Sequence, residues 1–296
     1  MKLSKIFVME YLKKDELYKN RSYAKCISCG YHTLVNNYKN IFSYTWKPAL
    51  AFCLVIIIAL SITDAFSIPS DTTGWIIWGV MALAVILSQY YLIAHIVNIF
   101  TEQGKITAFK KLLIIVCWAV LAKLLVSAIL YFTIAYSYQS PYSEEIFLTV
   151  LSIITIITLV IGVPFGYLCV KYLVDSETHF YNVIKSNFSK GFSHWGLIFV
   201  TTILSWFFVA LASFIVALPF YILVVAKLLS ASGVSLGDES GMPGYFPVLF
   251  SITSAIVLVL IMYFNTFIFS TLYYTYGSIE QRENERIGFM QNSMKD

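Results

Sequence analysis

Residues 48–68 read PALAFCLVIIIALSITDAFSI, a run of apolar side chains in which Asp64 is the single charge. About 20 such residues, wound as an α-helix, cross the ~30 Å hydrocarbon core of a bilayer. The apolar residues are continuous and do not alternate with polar ones, so the run reads as a helix and not as a barrel strand. Five further runs follow the same pattern, at 75–100, 112–138, 146–174, 195–229 and 248–276. Composition agrees: 59% of the 296 residues are hydrophobic and 12% charged, against ~45–50% and ~25% in soluble domains. Mean hydropathy is +0.77. The sequence predicts an all-α polytopic membrane protein with six transmembrane helices.

The flanks set the expected threading. Residues 1–46 form a polar, basic, amphipathic segment, so no cleavable signal peptide is expected and the first span would target the chain. Every lysine and arginine except Lys123 and Lys227 falls in or next to this segment, in or next to the loops after spans two and four, or in the tail 277–296. The opposite loops carry acids such as Asp71, Glu144, Glu145, Asp238 and Glu239. Positive charge marks the cytoplasmic side, so both termini are expected there, flanking a transmembrane domain at 47–276. The net charge of +4 is accounted for by this threading, and no nucleic-acid partner is read from it. Trp46, Trp75, Trp78, Tyr136, Tyr138, Trp195, Tyr273 and Tyr274 stand near span ends, where aromatic belts meet headgroups. The loop 230–247, rich in Gly, Ser and Pro, is expected to be a flexible surface connection.

Taken as a helix, residues 22–46 present Tyr23, Ile27, Gly30, Tyr31, Leu34, Tyr38, Ile41 and Phe42 on one side, with Lys25, Ser28, Asn36, Lys39, Asn40 and Ser43 opposite. Such a helix suits the plane of a membrane surface. It contains KCISCGYH at 25–32, in which Cys26 borders the apolar stripe while Cys29 and His32 sit on the polar face. A structural zinc site takes four ligands. Cys53, Cys117 and Cys169 stand singly within spans, and His95, His179 and His194 are scattered. The pair is therefore expected to be ordinary helix residues, with no metal and no cofactor.

A repeat is visible as well. Residues 37–46, NYKNIFSYTW, precede span one, and residues 187–195, NFSKGFSHW, precede span five. With one residue deleted, Asn37, Tyr38, Phe42, Ser43 and Trp46 align with Asn187, Phe188, Phe192, Ser193 and Trp195. The preceding segment has its own stripe at Phe180, Val183, Ile184, Phe188 and Phe192, and KITAFKKLL at 105–113 precedes span three. Three parallel hairpins are expected, each entered from the cytoplasm by an interfacial amphipathic helix. This layout, and the stretch YYTYGSIEQRENERIG from Tyr273, resemble a six-span, Bacteroidetes-type family of bacterial integral membrane proteins akin to the membrane domain of glycerophosphodiester phosphodiesterases. Glu280, Arg286, Ile287 and Gly288 carry the resemblance, in a compressed spacing. It implies residence in the bacterial cytoplasmic (inner) membrane. The soluble phosphodiesterase domain is not in this sequence, so no catalytic residue is carried over.

Chemistry-bearing motifs are few. The chain has no G-x-S-x-G, no H-E-x-x-H and no Walker loop, which points away from an enzyme. Asp175, Glu177 and His179 form a D-x-E-x-H cluster, read here as the solvated start of a helix. Gly162 and Gly166 form a G-x-x-x-G, expected to be a close packing face. Pro164 and Pro219 are expected to kink spans four and five and free backbone carbonyls. Lys123 stands apart. It lies about 16 Å into span three, near the midplane, where a lysine normally faces the bundle interior or a cavity. The nearest acid in depth is Asp64, about 22 Å along span one. Three readings remain open: a buried Lys123–Asp64 tie that fixes helix packing, a substrate or ion site, and a lysine that snorkels without a partner. The sequence favours a non-enzymatic membrane protein whose surface helices engage the lipid bilayer or a partner, either another membrane protein or a second copy. The alternative is a small-molecule or ion transporter with Lys123 in its pathway.

Overall fold

The computed structural model describes residues 14–63, 72–101, 104–137, 143–175, 179–237 and 241–293. Among these every regular element is helical. A single turn at Lys14–Leu17 precedes α1 (Tyr23–Thr63), α2 (Thr72–Thr101), α3 (Lys105–Ser137), α4 (Ser143–Val174), α5 (Phe180–Ser193), α6 (Trp195–Ser235) and α7 (Phe246–Ser293). All but α5 are long and apolar enough to cross a membrane, which agrees with the six runs in the sequence. Consecutive spans pack as three hairpins. Asn98 donates to the Tyr44 hydroxyl between α2 and α1 at 2.9 Å. Lys111 of α3 donates to the Tyr172 carbonyl of α4 at 2.8 Å. The Phe220 and Phe250 rings join α6 to α7 with centroids 5.4 Å apart.

A fourth pairing closes the bundle. α1 and α7 run antiparallel in contact over most of the length of α1. The Arg21 N–H donates to Ser278 Oγ at 2.9 Å, Thr33 and Tyr274 share a hydroxyl bond of 2.8 Å, and Thr45 and Tyr263 share one of 2.7 Å. Farther along, Cys53 Sγ approaches the Ala255 carbonyl at 3.9 Å. The 32 residues from Arg21 to Cys53 span about 48 Å, well beyond a ~30 Å hydrocarbon core. The two helices therefore continue together past the membrane on one side. Small side chains make this possible. A Cβ added to Gly30 would lie 2.9 Å from the Thr271 backbone nitrogen, and Ser270 Oγ donates to the Gly30 carbonyl at 3.1 Å. Small residues let helix backbones approach closely where lipid offers no hydrophobic drive.

This pairing changes several expectations. The boundaries at 46/47 and 276/277 fall inside continuous helices. The expected stripe of α1 is divided: Cys26, Gly30 and Ile41 are buried, whereas Tyr23, Tyr31, Tyr38 and Phe42 remain exposed. Tyr273 and Tyr274, expected in an aromatic belt, are in the core, because α2 and α1 cover them. The Phe100 ring of α2 packs against Tyr273 with centroids 5.6 Å apart. Residues 277–283, expected to begin a charged tail, include some of the most buried positions, with Ser278 and Ile279 fully enclosed. Gly162 and Gly166 are not a packing face, since a Cβ at either would meet nothing within 4 Å.

Pro164 frees a backbone carbonyl, as expected. Lying inside α4, it has no N–H for the carbonyl four residues earlier, that of Val160. The Trp195 indole donates to that carbonyl at 3.2 Å. One turn before Trp195, Gly191 sits close on the Pro164 ring, 3.1 Å from its Cβ to a Cβ added on the glycine. The α5–α6 elbow, at His194 with φ −111° and ψ 21°, thus docks on the proline of α4. The proposed repeat diverges at this point. Asn37 and Asn187 both bond back to the carbonyl four residues earlier, at 3.0 and 3.1 Å, but the first copy continues as α1 while the second breaks. Pro219 lies within α6, which remains one 41-residue helix.

Candidate functional site

The densest polar chemistry lies where α4 ends against the last third of α7. Tyr167, Lys171 and Asp175 recur every four residues and so share one face of the chain leaving α4. Tyr276 and Glu280 do the same on α7. The two faces meet. Lys171 Nζ lies 2.7 Å from Glu280 Oε1 and 3.6 Å from Asp175 Oδ2. The Tyr167 hydroxyl donates to the same Glu280 oxygen, and the Tyr276 hydroxyl donates to Asp175 Oδ1 at 3.0 Å. From α3, Lys111 closes the cluster by donating to the Asp175 carbonyl at 2.5 Å. Two lysines and two carboxylates balance. The Lys171 and Glu280 side chains are 9% and 13% exposed, a burial at which each needs the other to offset its desolvation.

Two further ties hold the same stretch of α7. His194, at the α5–α6 elbow, places Nε2 3.0 Å from Glu283 Oε1. Arg21 donates to the Leu17 carbonyl at 2.8 Å and lies over the Tyr274 ring at 5.3 Å, while Arg282 donates to the Arg21 carbonyl at 2.7 Å. The segment from Tyr273 to Glu283 is thus a hub gripped by α1, α2, α4 and the α5–α6 elbow. Each hub carboxylate already accepts from a phenol, a cation or both. That is the arrangement of a packing brace.

A different kind of site lies between α1, α6 and α7. Tyr23, Ile27, Tyr31, Leu34 and Val35 of α1 face Leu204, Phe208 and Ala212 of α6 across a floor of Phe264 and Phe267. The cleft encloses about 740 Å³, within the ~300–1,000 Å³ range of small-molecule sites. Its lining is almost wholly apolar.

The residues singled out in the sequence fall elsewhere. Lys123 is on an exposed face of α3 and not in the bundle interior. The helix around it is exposed too, as is most of the outer half of α4. Asp64 lies outside the described residues, as does Glu177. Asp175 of the D-x-E-x-H cluster is engaged by Lys171 and Tyr276. Cys26 is buried and Cys29 half-buried, both as free thiols. Among the described residues no group of three or more His, Cys, Asp or Glu side chains comes together to hold a metal ion. The hub itself was open to detection: the Tyr167–Lys171–Asp175 and Tyr276–Glu280 spacings each place polar groups on one face of an otherwise apolar helix.

Six long apolar helices fit a multi-pass integral membrane protein. The chain matches no protein-family model, no curated protein and no solved structure.

Proposed function

We propose that this is a non-enzymatic, multi-pass membrane protein that binds a lipid acyl chain in the cleft between α1, α6 and α7. The carrying observation is the cleft itself, walled by the exposed aromatic side of α1 and the apolar side of α6. A lipid tail suits it because the walls offer contact area and almost no hydrogen-bonding groups, and an apolar site gains most from an apolar guest. The expected engagement of lipid by the first amphipathic helix then takes a specific form, in which the side of α1 that faces α6 binds a chain. The resemblance to the six-span family rests on the same hub segment, Tyr273 to Gly288, and on that basis we place the protein in the bacterial inner membrane. A transport pathway through Lys123 has less support, since that side chain is exposed and lies away from the cleft.

The test uses purified full-length protein in nanodiscs that contain a phospholipid with a photoactivatable acyl chain. Cross-links should concentrate on Tyr31, Phe208 and Phe264 and fall at least fivefold in Ala212→Trp, which fills the cleft. Equal labelling at Ile222, an exposed residue elsewhere on α6, would reduce the cleft to ordinary lipid contact and overturn the reading.

A further inference from the structure

Lys123 occupies an unusual position. It follows Lys111, which is anchored at the base of the α3–α4 hairpin, by twelve residues, about 18 Å of helix. That places it near the middle of a ~30 Å core. Its neighbours along the helix, Val120, Leu121, Leu124 and Leu125, are exposed apolar residues. One turn to either side, Ala119 and Ser127 share its face and are exposed as well. Among the described residues no carboxylate pairs with it. Charged groups at this depth are costly against lipid and normally meet a counter-charge or water.

We infer that the α3 face formed by Ala119, Lys123 and Ser127 docks a transmembrane helix of another protein that carries a carboxylate near its own midplane. Charge complementarity selects the chemistry. A lysine surrounded by aliphatic residues gains from an Asp or Glu at equal depth, and gains little from lipid tails. Ala119 and Ser127 favour close approach of the incoming backbone, as small residues do at helix contacts in membranes. A second copy of this chain is a poorer match. Its described spans carry no acid near the midplane, and the remaining acid of span one, Asp64, stands near that span's far end in the sequence. The inference is independent of the cleft.

The probe is a synthetic polyleucine transmembrane peptide with one central Asp, compared with an all-leucine peptide and one with a central Lys. Association with the full-length protein in nanodiscs is read by energy transfer from a label on Leu125→Cys, exposed on the opposite side of α3, in a background with the native cysteines replaced. The Asp peptide should bind roughly tenfold more tightly than the leucine peptide, the scale of a single interhelical polar contact. Lys123→Met should abolish the preference, and Lys123→Asp should transfer it to the Lys peptide, which keeps the test valid if one variant folds poorly. Equal binding of the Asp and leucine peptides, or a preference that survives Lys123→Met, would overturn the inference. Self-association of the protein that depends on both Lys123 and Asp64 would likewise replace it with a homo-oligomer.

Discussion

The α1–α7 pair and the α3–α4 hairpin are built from the same kind of raw material, long apolar helices, yet they serve opposite ends. The first brings Gly30, Thr33, Thr45, Ser270 and Ser278 into contact, and its hydroxyls find partners across the interface. The second is dominated at its outer half by Leu, Ile and Val that remain exposed, including Leu125, Ile153 and Ile156. In a membrane, apolar side chains lose nothing by facing lipid, so hydrophobicity alone does not decide which helices pack. Small and polar residues decide it. Hence the molecule's most closely packed region is also its more hydrophilic one.

The largest expected effect comes from breaking the hub. Glu280→Leu leaves Lys171 buried beside Asp175 with half its partners gone, and Lys171→Met leaves Glu280 with only Tyr167. Each should destabilise by about 3–5 kcal/mol, the usual cost of orphaning one member of a buried pair. The double variant should cost clearly less than the sum of the two. Thermal unfolding of the four proteins in one detergent measures the coupling. Additive losses would mean that the 2.7 Å contact carries no energy of its own.

Next in size is the helix interface. Gly30→Val places a branched side chain against the Thr271 backbone, which cannot give way as a flexible side chain would. Overpacking of this kind costs about 1–3 kcal/mol. The same substitution at Gly79, where an added Cβ meets nothing within 4 Å, supplies the control. Equal stability of the two variants would show that α1 and α7 are not in close contact.

How much of this could be read beforehand follows from the same contrast. Hydropathy located all six spans, because length and apolarity are properties of one segment at a time. The free carbonyl at Pro164 was also foreseeable, since the missing N–H is local; that Trp195 would claim it was not. The α1–α7 pairing escaped because its signal is a stripe of small residues that hydropathy scores as unremarkable. Lys171 and Glu280 are 109 positions apart, and each alone reads as an ordinary charge near a span end. Depth along the helix led to the pairing of Lys123 with Asp64, but depth says nothing of azimuth, and the structure turns Lys123 outward.

The smallest expected effect probes the other half of the comparison. Leu125 and Ile156 are 67% and 63% exposed, whereas Ile279 in the hub is fully buried. Ile279→Ala should cost ~2–5 kcal/mol, because the surrounding helices cannot collapse into the space it leaves. Leu125→Ala and Ile156→Ala should each fall within ~0.5 kcal/mol of the parent, as surface substitutions usually do, since lipid or detergent tails fill the gap at once. All three are measured by thermal unfolding in the same lipid nanodiscs. If Leu125→Ala proves as damaging as Ile279→Ala while the hub variants behave as expected, the outer half of the hairpin is packed against protein in the particle measured. The contrast between a packed pair and a lipid-facing arm would then hold only for the isolated chain.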